Sequence, residues 1–168
     1  MNDPGSMIDG VKELEKHTRH IRVAMFTTRS GEGRLISRPL YTKQMEPNGD
    51  LWFFSALDSK KVHELVANPQ VNLAYADPGA QVFLSIDGRA EIERDPAKID
   101  ELWSETTDKL FFKQGRDDPQ LVLIRVRAET AEMWTSASTA IGRAFNFLKA
   151  KATGDASDLG DQRHIELN

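Results

Sequence analysis

The stretch Leu35–Ser55 (LISRPLYTKQMEPNGDLWFFS) decides the fold class of this chain. Leu35 to Met45 is predicted to form a strand. It is followed by Glu46-Pro47-Asn48-Gly49-Asp50, whose Asn-Gly dipeptide tolerates the positive φ angles of a tight turn. The very apolar Leu51-Trp52-Phe53-Phe54-Ser55 then predicts the returning strand. The stretch therefore predicts a β-hairpin.

The chain before this hairpin predicts a covering helix and a further strand. Apolar residues recur at partial helical spacing from Met7 to Ile21, which indicates a short amphipathic helix. Arg22–Thr28 (RVAMFTT) is typical of a strand, and Ser30-Gly31-Glu32-Gly33 is typical of the turn that leads from it to Leu35. A helix followed by a three-stranded meander is the predicted order.

The chain after the hairpin predicts more strands and few helices. A helix capped by Asp58-Ser59 should end at Asn68-Pro69, because proline cannot continue it. Six or seven short strands favour a closed or nearly closed antiparallel barrel over a parallel α/β sheet, so the predicted class is mainly β with flanking helices. The other predicted elements are strands at Val71–Ala76, Val82–Glu93 and Leu121–Arg127, with Met133-Trp134 extending the sheet, and helices that open at Asp95-Pro96 and span Ala140–Thr153.

Length and composition indicate one globular domain and argue against nucleic acid and membranes as partners. The 168 residues carry 22 Lys and Arg against 26 Asp and Glu, a net charge of −4, so we expect no general attraction to nucleic acid or anionic membranes. There is no cysteine, and no apolar run approaches the roughly 18 residues of a membrane span. We expect a cytoplasmic protein with one domain at residues 7–154. Residues 1–6 are expected to be a cloning remnant or a disordered start, and residues 155–168 a flexible tail.

Lys60 and Lys61 stand in the first turn of the helix that Ser59 caps. Because the helix dipole favours anions there, each lysine is unfavourable by a few tenths to about 1 kcal/mol unless an anion lies among them. A phosphate would remove this conflict, whereas lysines that point into water would tolerate it. These residues alone leave both interpretations open.

Arg38 is a second candidate phosphate ligand, because a guanidinium in the middle of a strand can recognise phosphate through two parallel hydrogen bonds. Pro39 lacks an amide donor, so its strand is predicted to be an edge or to be interrupted there. That would leave room for a ligand or for another chain. An outward-facing Arg38 on the surface is the alternative.

Other side chains give weaker signals. Most aromatic residues are expected in the core, but Trp134 is followed by the polar Thr135-Ser136 and is a candidate ligand contact. The histidines show no metal-ligand spacing, so we predict no metal site. No motif predicts a catalytic acid, base or nucleophile.

Together these motifs resemble the pyridoxamine 5'-phosphate oxidase-like superfamily, in which Ser37–Leu40, Leu51–Ser55 and Ser59–Val62 occur in this order and spacing. The resemblance continues through Leu84–Ala90 to Glu132-Met133-Trp134, and the segment 149–154 is similar to the general stress protein branch. It implies a six- or seven-stranded split β-barrel at residues 7–154. It also implies a homodimer that binds FMN, or alternatively FAD, at two sites between its subunits.

The resemblance also implies roles for individual residues. Phosphate ligands, contacts of the isoalloxazine and ribityl chain, and contacts from the partner subunit make up the implied site. The phosphate ligands are Arg38, Ser59, Lys60 and Lys61, the flavin contacts are Pro39, Leu40, Phe54 and Ser55, and the contacts from the partner subunit are Phe83 and Trp134.

One departure from the superfamily follows directly after Trp134. True pyridoxamine 5'-phosphate oxidases carry an Arg-x-His segment there that grips the substrate phosphate, whereas this chain has Thr135–Thr139 (TSAST). We therefore expect an FMN-binding general stress protein without that oxidase activity, and we leave open whether it is an oxidoreductase. A non-enzymatic flavin carrier or redox sensor, and a split barrel that binds F420 or haem, are the alternatives.

Overall fold

A computed structural model describes residues 4–135 and 161–167 of the protein. Over these residues it contains seven strands and three α-helices. In chain order the elements are α1 (Pro4–Ile21), β1 (Val23–Arg29), β2 (Leu35–Met45), β3 (Asp50–Ala56), α2 (Lys60–Ala67), β4 (Gln70–Asp77), β5 (Val82–Glu93), α3 (Pro96–Leu102), β6 (Leu121–Thr135) and β7 (Asp161–Glu166). The helix predicted at Ala140–Thr153 lies outside the described residues.

The strands form one antiparallel sheet in the order β3-β2-β1-β4-β5-β6-β7. β3 also pairs with β6, from Asp50 opposite Arg127 to Ala56 opposite Leu121. Strands β1 to β6 therefore close into a barrel, and β7 lies outside the ring along β6. This confirms the predicted class, a mainly β protein with flanking helices and an antiparallel barrel of six or seven strands.

The interior of the barrel holds the main hydrophobic core. Phe26 of β1 and Phe53 of β3 are fully buried there and meet edge to face, with their ring centroids 5.3 Å apart. Buried and exposed side chains alternate along β1, as they do in a strand with one packed face. The other face of β1, which carries Val23 and Met25, lies on the outside of the barrel.

A second apolar cluster covers the outside of the barrel where β3 pairs with β6. It joins Trp52 and Leu123 of these strands to Ile99 of α3 and to Phe112. Leu121, Val122, Leu123 and Ile124 are consequently all buried, although a strand with one solvent face would alternate. This cluster fixes the segment 103–120 against the outer face of β3, which is one wall of the candidate site.

The turn between β2 and β3 forms as predicted. Gly49 has a φ of +91°, in the left-handed region that glycine adopts without strain. Asn48 Oδ1 accepts a hydrogen bond of 3.0 Å from the Asp50 amide, so the asparagine side chain closes the turn.

Helix α1 begins earlier than predicted, at Pro4 rather than Met7. Proline suits the first turn of a helix because its fixed φ is already helical and no amide hydrogen is needed there. Residues 4–6 therefore form the first turn of α1.

Strand β7 occupies part of the tail that was expected to be flexible. Residues Asp161–Glu166 pair with residues 130–135 of β6, and Arg163 Nη1 donates to Glu13 Oε2 of α1 at 2.9 Å. Ile165 packs against the hydrophobic core, and Leu167 is buried. Residues 161–166 are therefore part of the sheet, because β6 offers an open edge there that a polar segment can pair with.

Candidate functional site

A cavity of about 410 Å³ lies between β2, β3, the start of α2 and the segment after α3. Its volume is typical of small-molecule sites, which span roughly 300–1,000 Å³. Five residues implied for the flavin site line it together, namely Pro39, Leu40, Phe54, Ser55 and Lys61. The other lining residues are Tyr41, Lys43, Ala56, Asp108, Phe111 and Phe112.

Ser59 lies at the N-cap position of α2 but does not cap the helix with its side chain. Its φ of −70° and ψ of 145° are the extended values of an N-cap, yet its side chain makes no hydrogen bond to the helix amides. Its hydroxyl instead lies 3.1 Å from the hydroxyl of Ser55, which lines the cavity. The first turn of α2 contains no acidic residue. This helix end therefore has the positive character that attracts an anion and no acidic residue of its own first turn to offset it.

Lys60 and Lys61 point to different sides of α2. Lys61 is half-buried and lines the cavity, whereas Lys60 is exposed and lines a separate groove of about 430 Å³ beside His63 and Glu64. With 3.6 residues per turn, consecutive helix residues diverge by about 100°. Burial, reinforced by the positive charge of Arg38, lowers the pKa of Lys61. The structure thus brings Lys61, but not Lys60, to the cavity.

Arg38 is held by side chains of β1 and α2. Its Nη2 donates to Glu64 Oε2 at 2.9 Å, and its Nη1 donates to Thr28 Oγ1. Thr28 Oγ1 in turn donates to Glu64 Oε2 at 2.6 Å. The Arg38 side chain is 21% exposed and the Glu64 side chain 5%. A freely solvated surface arginine, the alternative left open by the sequence, is therefore not what the structure shows.

The environment of Glu64 favours its charged form. Burial would raise the pKa of this carboxyl, but the hydrogen bonds from Thr28 and Arg38, together with the charges of Arg38 and Lys60, outweigh burial and lower the pKa below its usual value. Arg38 and Glu64 therefore form an ion pair at neutral pH. Neither residue lines the cavity, and Glu64 lines the groove that Lys60 lines.

An ion pair lies in the wall of the cavity. Lys43 Nζ donates to Asp108 Oδ2 at 2.7 Å, and the two side chains are only 7% and 10% exposed. Lys43 Nζ also lies 5.0 Å from the centre of the Phe54 ring, within the range of a cation–π contact. This pair joins β2 to the segment after α3 and places a desolvated cation beside an aromatic wall.

Phe83 and Trp134 do not line this cavity. They are paired residues of β5 and β6, and both lie on the outer face of the barrel with 42% and 38% exposure. They are therefore separate from Pro39, Phe54 and Lys61, which line the cavity.

The sequence analysis missed Lys43, Asp108, Glu64 and Thr28. Lys43 shares the strand face of Pro39 and Tyr41 through the two-residue period of β2, so that pattern would have found it. Asp108 belongs to a short 3-10 turn whose sequence has no regular pattern. The contact between Glu64 and Thr28 joins positions far apart in the chain, and no local signal predicts it.

A larger groove of about 540 Å³ beside the C-terminal end of α1 is also basic. Lys16, His17, Arg19, His20 and Arg22 line it, with Asp77 opposite. Cations at a helix C-terminus are favoured by the helix dipole, so this charge needs no ligand to explain it.

Neither a metal-binding cluster nor a membrane-spanning helix occurs within the described residues. In residues 4–135 and 161–167, no three His, Asp or Glu side chains lie close enough to hold a metal ion. None of the helices in these ranges combines the length and apolar character needed to cross a membrane.

Comparison with protein families gives a match over most of the chain. Residues 9–158 match the family model described as pyridoxamine 5'-phosphate oxidase like. Among curated proteins, the chain is 23% identical over 164 residues to protein bli-3 of Neurospora crassa. This alignment covers 92% of this chain and 78% of that protein.

Solved structures share the same fold. A putative general stress protein 26 from Jannaschia sp. CCS1 aligns with a TM-score of 0.72 and 24% identity, and covers 94% of this chain and 98% of that chain. The general stress FMN/FAD binding protein from Xanthomonas citri aligns with a TM-score of 0.63 and 27% identity, over 82% of this chain and 93% of that chain. A putative general stress family protein from Xanthomonas campestris pv. campestris is 29% identical, with a TM-score of 0.66, over 83% of this chain and 93% of that chain.

Proposed function

The chain belongs to the pyridoxamine 5'-phosphate oxidase-like family, and from this membership we propose that it is a general stress flavoprotein that binds FMN in the cavity of β2, β3 and α2. The observation that carries the proposal is the half-buried Lys61, which lines the cavity in the first turn of α2, a turn that holds no acidic residue. Arg38 lowers the pKa of the half-buried Lys61, after burial itself. Glu64 already offsets the charge of Arg38, whereas an anion in the cavity would stabilise the half-buried ammonium of Lys61.

The residues of the cavity fit a phosphorylated flavin. Lys61, Arg38 and the hydroxyl of Ser59 supply donors for a phosphate, beside the N-terminal end of α2. Pro39, Leu40 and Phe54 supply the apolar surface that a planar ring system needs. Lys60 lines a different groove, so we propose a minor role for it in holding the phosphate.

The partner subunit completes the proposed site. Phe83 and Trp134 form an exposed aromatic pair on the outer barrel face, and Val23 and Met25 of β1 are exposed apolar residues of the same barrel exterior. Large apolar side chains exposed on a barrel exterior mark a candidate interaction surface. We propose a homodimer in which this pair approaches the flavin of the other subunit.

The flavin, when bound, would supply hydride- and electron-transfer chemistry, while the protein supplies binding, orientation and electrostatics. Arg38 and Lys61 would neutralise the phosphate. The second apolar cluster, which contains Phe112, would exclude water from one wall of the cavity. Lys43 and Asp108 form an ion pair in the cavity wall, so their charges offset each other there.

The identity of the bound molecule tests the proposal directly. Purified protein should be yellow with flavin absorption bands, and denaturation should release a molecule with the mass of FMN. Release of FAD would correct the cofactor within the same class, whereas an F420 or haem spectrum would replace the proposal by another.

Turnover separates the two functional alternatives. An oxidoreductase should pass electrons from a reductant to an acceptor repeatedly, and a flavin carrier or redox sensor should show at most one reduction per bound flavin. FMN-loaded protein assayed with a nicotinamide reductant and a quinone acceptor distinguishes them.

A further inference from the structure

Glu64 is a buried carboxylate whose packing alone does not explain its presence. Its side chain is 5% exposed, and its Oε1 atom is buried without a hydrogen-bond partner among the residues that the structure describes. Burying a charge with an unsatisfied oxygen is unfavourable for folding. The side-chain hydrogen bonds of Glu64 are made by its other oxygen, Oε2.

Glu64 Oε2 has two hydrogen-bond partners, Arg38 itself and Thr28, which also contacts Arg38. Arg38 Nη2 donates to this oxygen at 2.9 Å, and Thr28 Oγ1 donates to it at 2.6 Å. Thr28 also accepts a hydrogen bond from Arg38 Nη1. Each side chain of the triad thus contacts the two others, and the three come from β1, β2 and α2.

This triad fixes the plane of the guanidinium. A guanidinium carries five N–H groups in a rigid fork, so two bonds made at Nη1 and Nη2 set its orientation while N–H groups remain for a ligand. Without Glu64 and Thr28, the long Arg38 side chain would regain several rotamers, and binding would have to order it.

We propose that Glu64, together with Thr28, is a positioning residue that holds Arg38 in the orientation in which it binds the phosphate of a flavin nucleotide. This inference rests on the proposed function of the cavity. Glu64 acts here through Arg38, and its carboxylate would by itself repel a phosphate. The ordering of Arg38 outweighs that repulsion.

The test compares FMN with riboflavin, which has the same ring system and no phosphate. Glu64→Gln keeps the size of the side chain and removes its charge, and Thr28→Val keeps the shape and removes the hydroxyl. Each should weaken FMN binding about three- to tenfold, as loss of a net hydrogen-bond contribution does. Riboflavin affinity should stay within about twofold of wild type, because it does not use Arg38.

Three controls show whether the effect passes through Arg38. Thr28→Ser retains the hydroxyl and should restore wild-type FMN affinity. Glu32→Gln changes an exposed glutamate of the β1–β2 turn and should change neither affinity. In an Arg38→Ala background, Glu64→Gln should have no further effect on the ratio of FMN to riboflavin affinity.

Each outcome decides a separate point. Unchanged or tighter FMN binding by Glu64→Gln, in a protein whose wild type binds FMN, would overturn the positioning role alone. Equal losses for FMN and riboflavin would show a general structural role and also overturn it. Failure of the wild type to bind FMN would overturn the proposed function, and the positioning role with it.

Discussion

Phe83 and Trp134 lie directly opposite each other on β5 and β6, and both side chains remain more than a third exposed, at 42% and 38%. An aromatic pair on the outside of a barrel is large apolar surface left in water by a single subunit. The pair is therefore the natural centre of the proposed dimer interface.

We predict that the protein sediments as a dimer at micromolar concentration, at twice its chain mass of 18.9 kDa. Trp134→Glu should shift it toward monomer and weaken FMN binding in parallel, because a charge would have to be buried at the interface. Val66→Glu is the matched control, since Val66 is 75% exposed on α2. A monomer of 18.9 kDa that binds FMN stoichiometrically would contradict the shared site.

Lys61→Ala should weaken FMN binding by about tenfold or more, because a charge-assisted contact typically contributes about 1.5–3 kcal/mol. Arg38→Ala should have an effect of similar size. Lys60→Ala is the neighbouring control and should cost much less, since Lys60 lines the other groove. Fluorescence titration with FMN measures all three, and equal losses for Lys60→Ala and Lys61→Ala would show that the phosphate lies between them.

FMN affinity should fall as pH rises toward the alkaline range. Burial and Arg38 lower the pKa of Lys61, so its ammonium loses the proton at a lower pH than an ordinary lysine, and a neutral amine attracts phosphate less. The phosphate itself stays dianionic above its second pKa of roughly 6 and cannot cause the decline. The full affinity is present between the second pKa of the phosphate and the pKa of Lys61.

Lys61→Arg is the control for this pH dependence, because arginine stays charged throughout. Titrations from about pH 7 to pH 10, the approach to the usual lysine pKa, should show a decline for wild type and a flat profile for Lys61→Arg. Riboflavin measured over the same range reports any change of the protein itself. A decline of equal size in Lys61→Arg would assign it to another group.

Removing one partner of the Lys43–Asp108 pair should lower the free energy of unfolding more than replacing both partners. Lys43→Met should lower the free energy of unfolding by about 3–5 kcal/mol, because it leaves the Asp108 carboxylate buried without its counter-charge. Adding Asp108→Asn removes that charge, keeps an acceptor for the Ser104 amide, and should recover much of the loss. Urea denaturation of the two variants measures this, and a single variant as stable as wild type would show that water reaches the site.

We predict no appreciable pyridoxamine 5'-phosphate oxidase activity. Residues 135–139 provide hydroxyl and methyl groups where that chemistry needs an arginine and a histidine, and losing such contacts removes several kcal/mol, or about three orders of magnitude in rate. Oxygen consumption with pyridoxamine 5'-phosphate and FMN-loaded protein tests this. Turnover of about 1 per second, an ordinary enzyme rate, would overturn the prediction, and Arg143 would then be the first residue to mutate.

The sequence predicted most of the barrel because its turns carry strong local signals. The Asn48-Gly49 turn and the boundaries of β2 and β5 follow from residues adjacent in the chain. The pairing of β3 with β6 has no such signal, since it joins strands that α2, β4, β5 and α3 separate. Strand β7 was missed because its polar sequence, DQRHIE, lacks apolar alternation.

The lining of the cavity was predictable where the residues that form it are close together along one strand or in one helix turn. Pro39, Leu40, Phe54, Ser55 and Lys61 all line the cavity. The separation of Lys60 from Lys61 follows from helix geometry and could have been predicted. The partners of Arg38 could not, because Thr28 and Glu64 reach it from two other elements.

The closure of β3 on β6 also has a kinetic consequence. Residues 50–56 must remain without their second neighbour until residues 121–127 have been synthesised and folded back. Contacts between such distant segments make folding slow, typically milliseconds to seconds for β-rich domains. During that interval the Leu51-Trp52-Phe53-Phe54 edge is an exposed apolar strand, the kind of segment that chaperones shield and that aggregates when they do not.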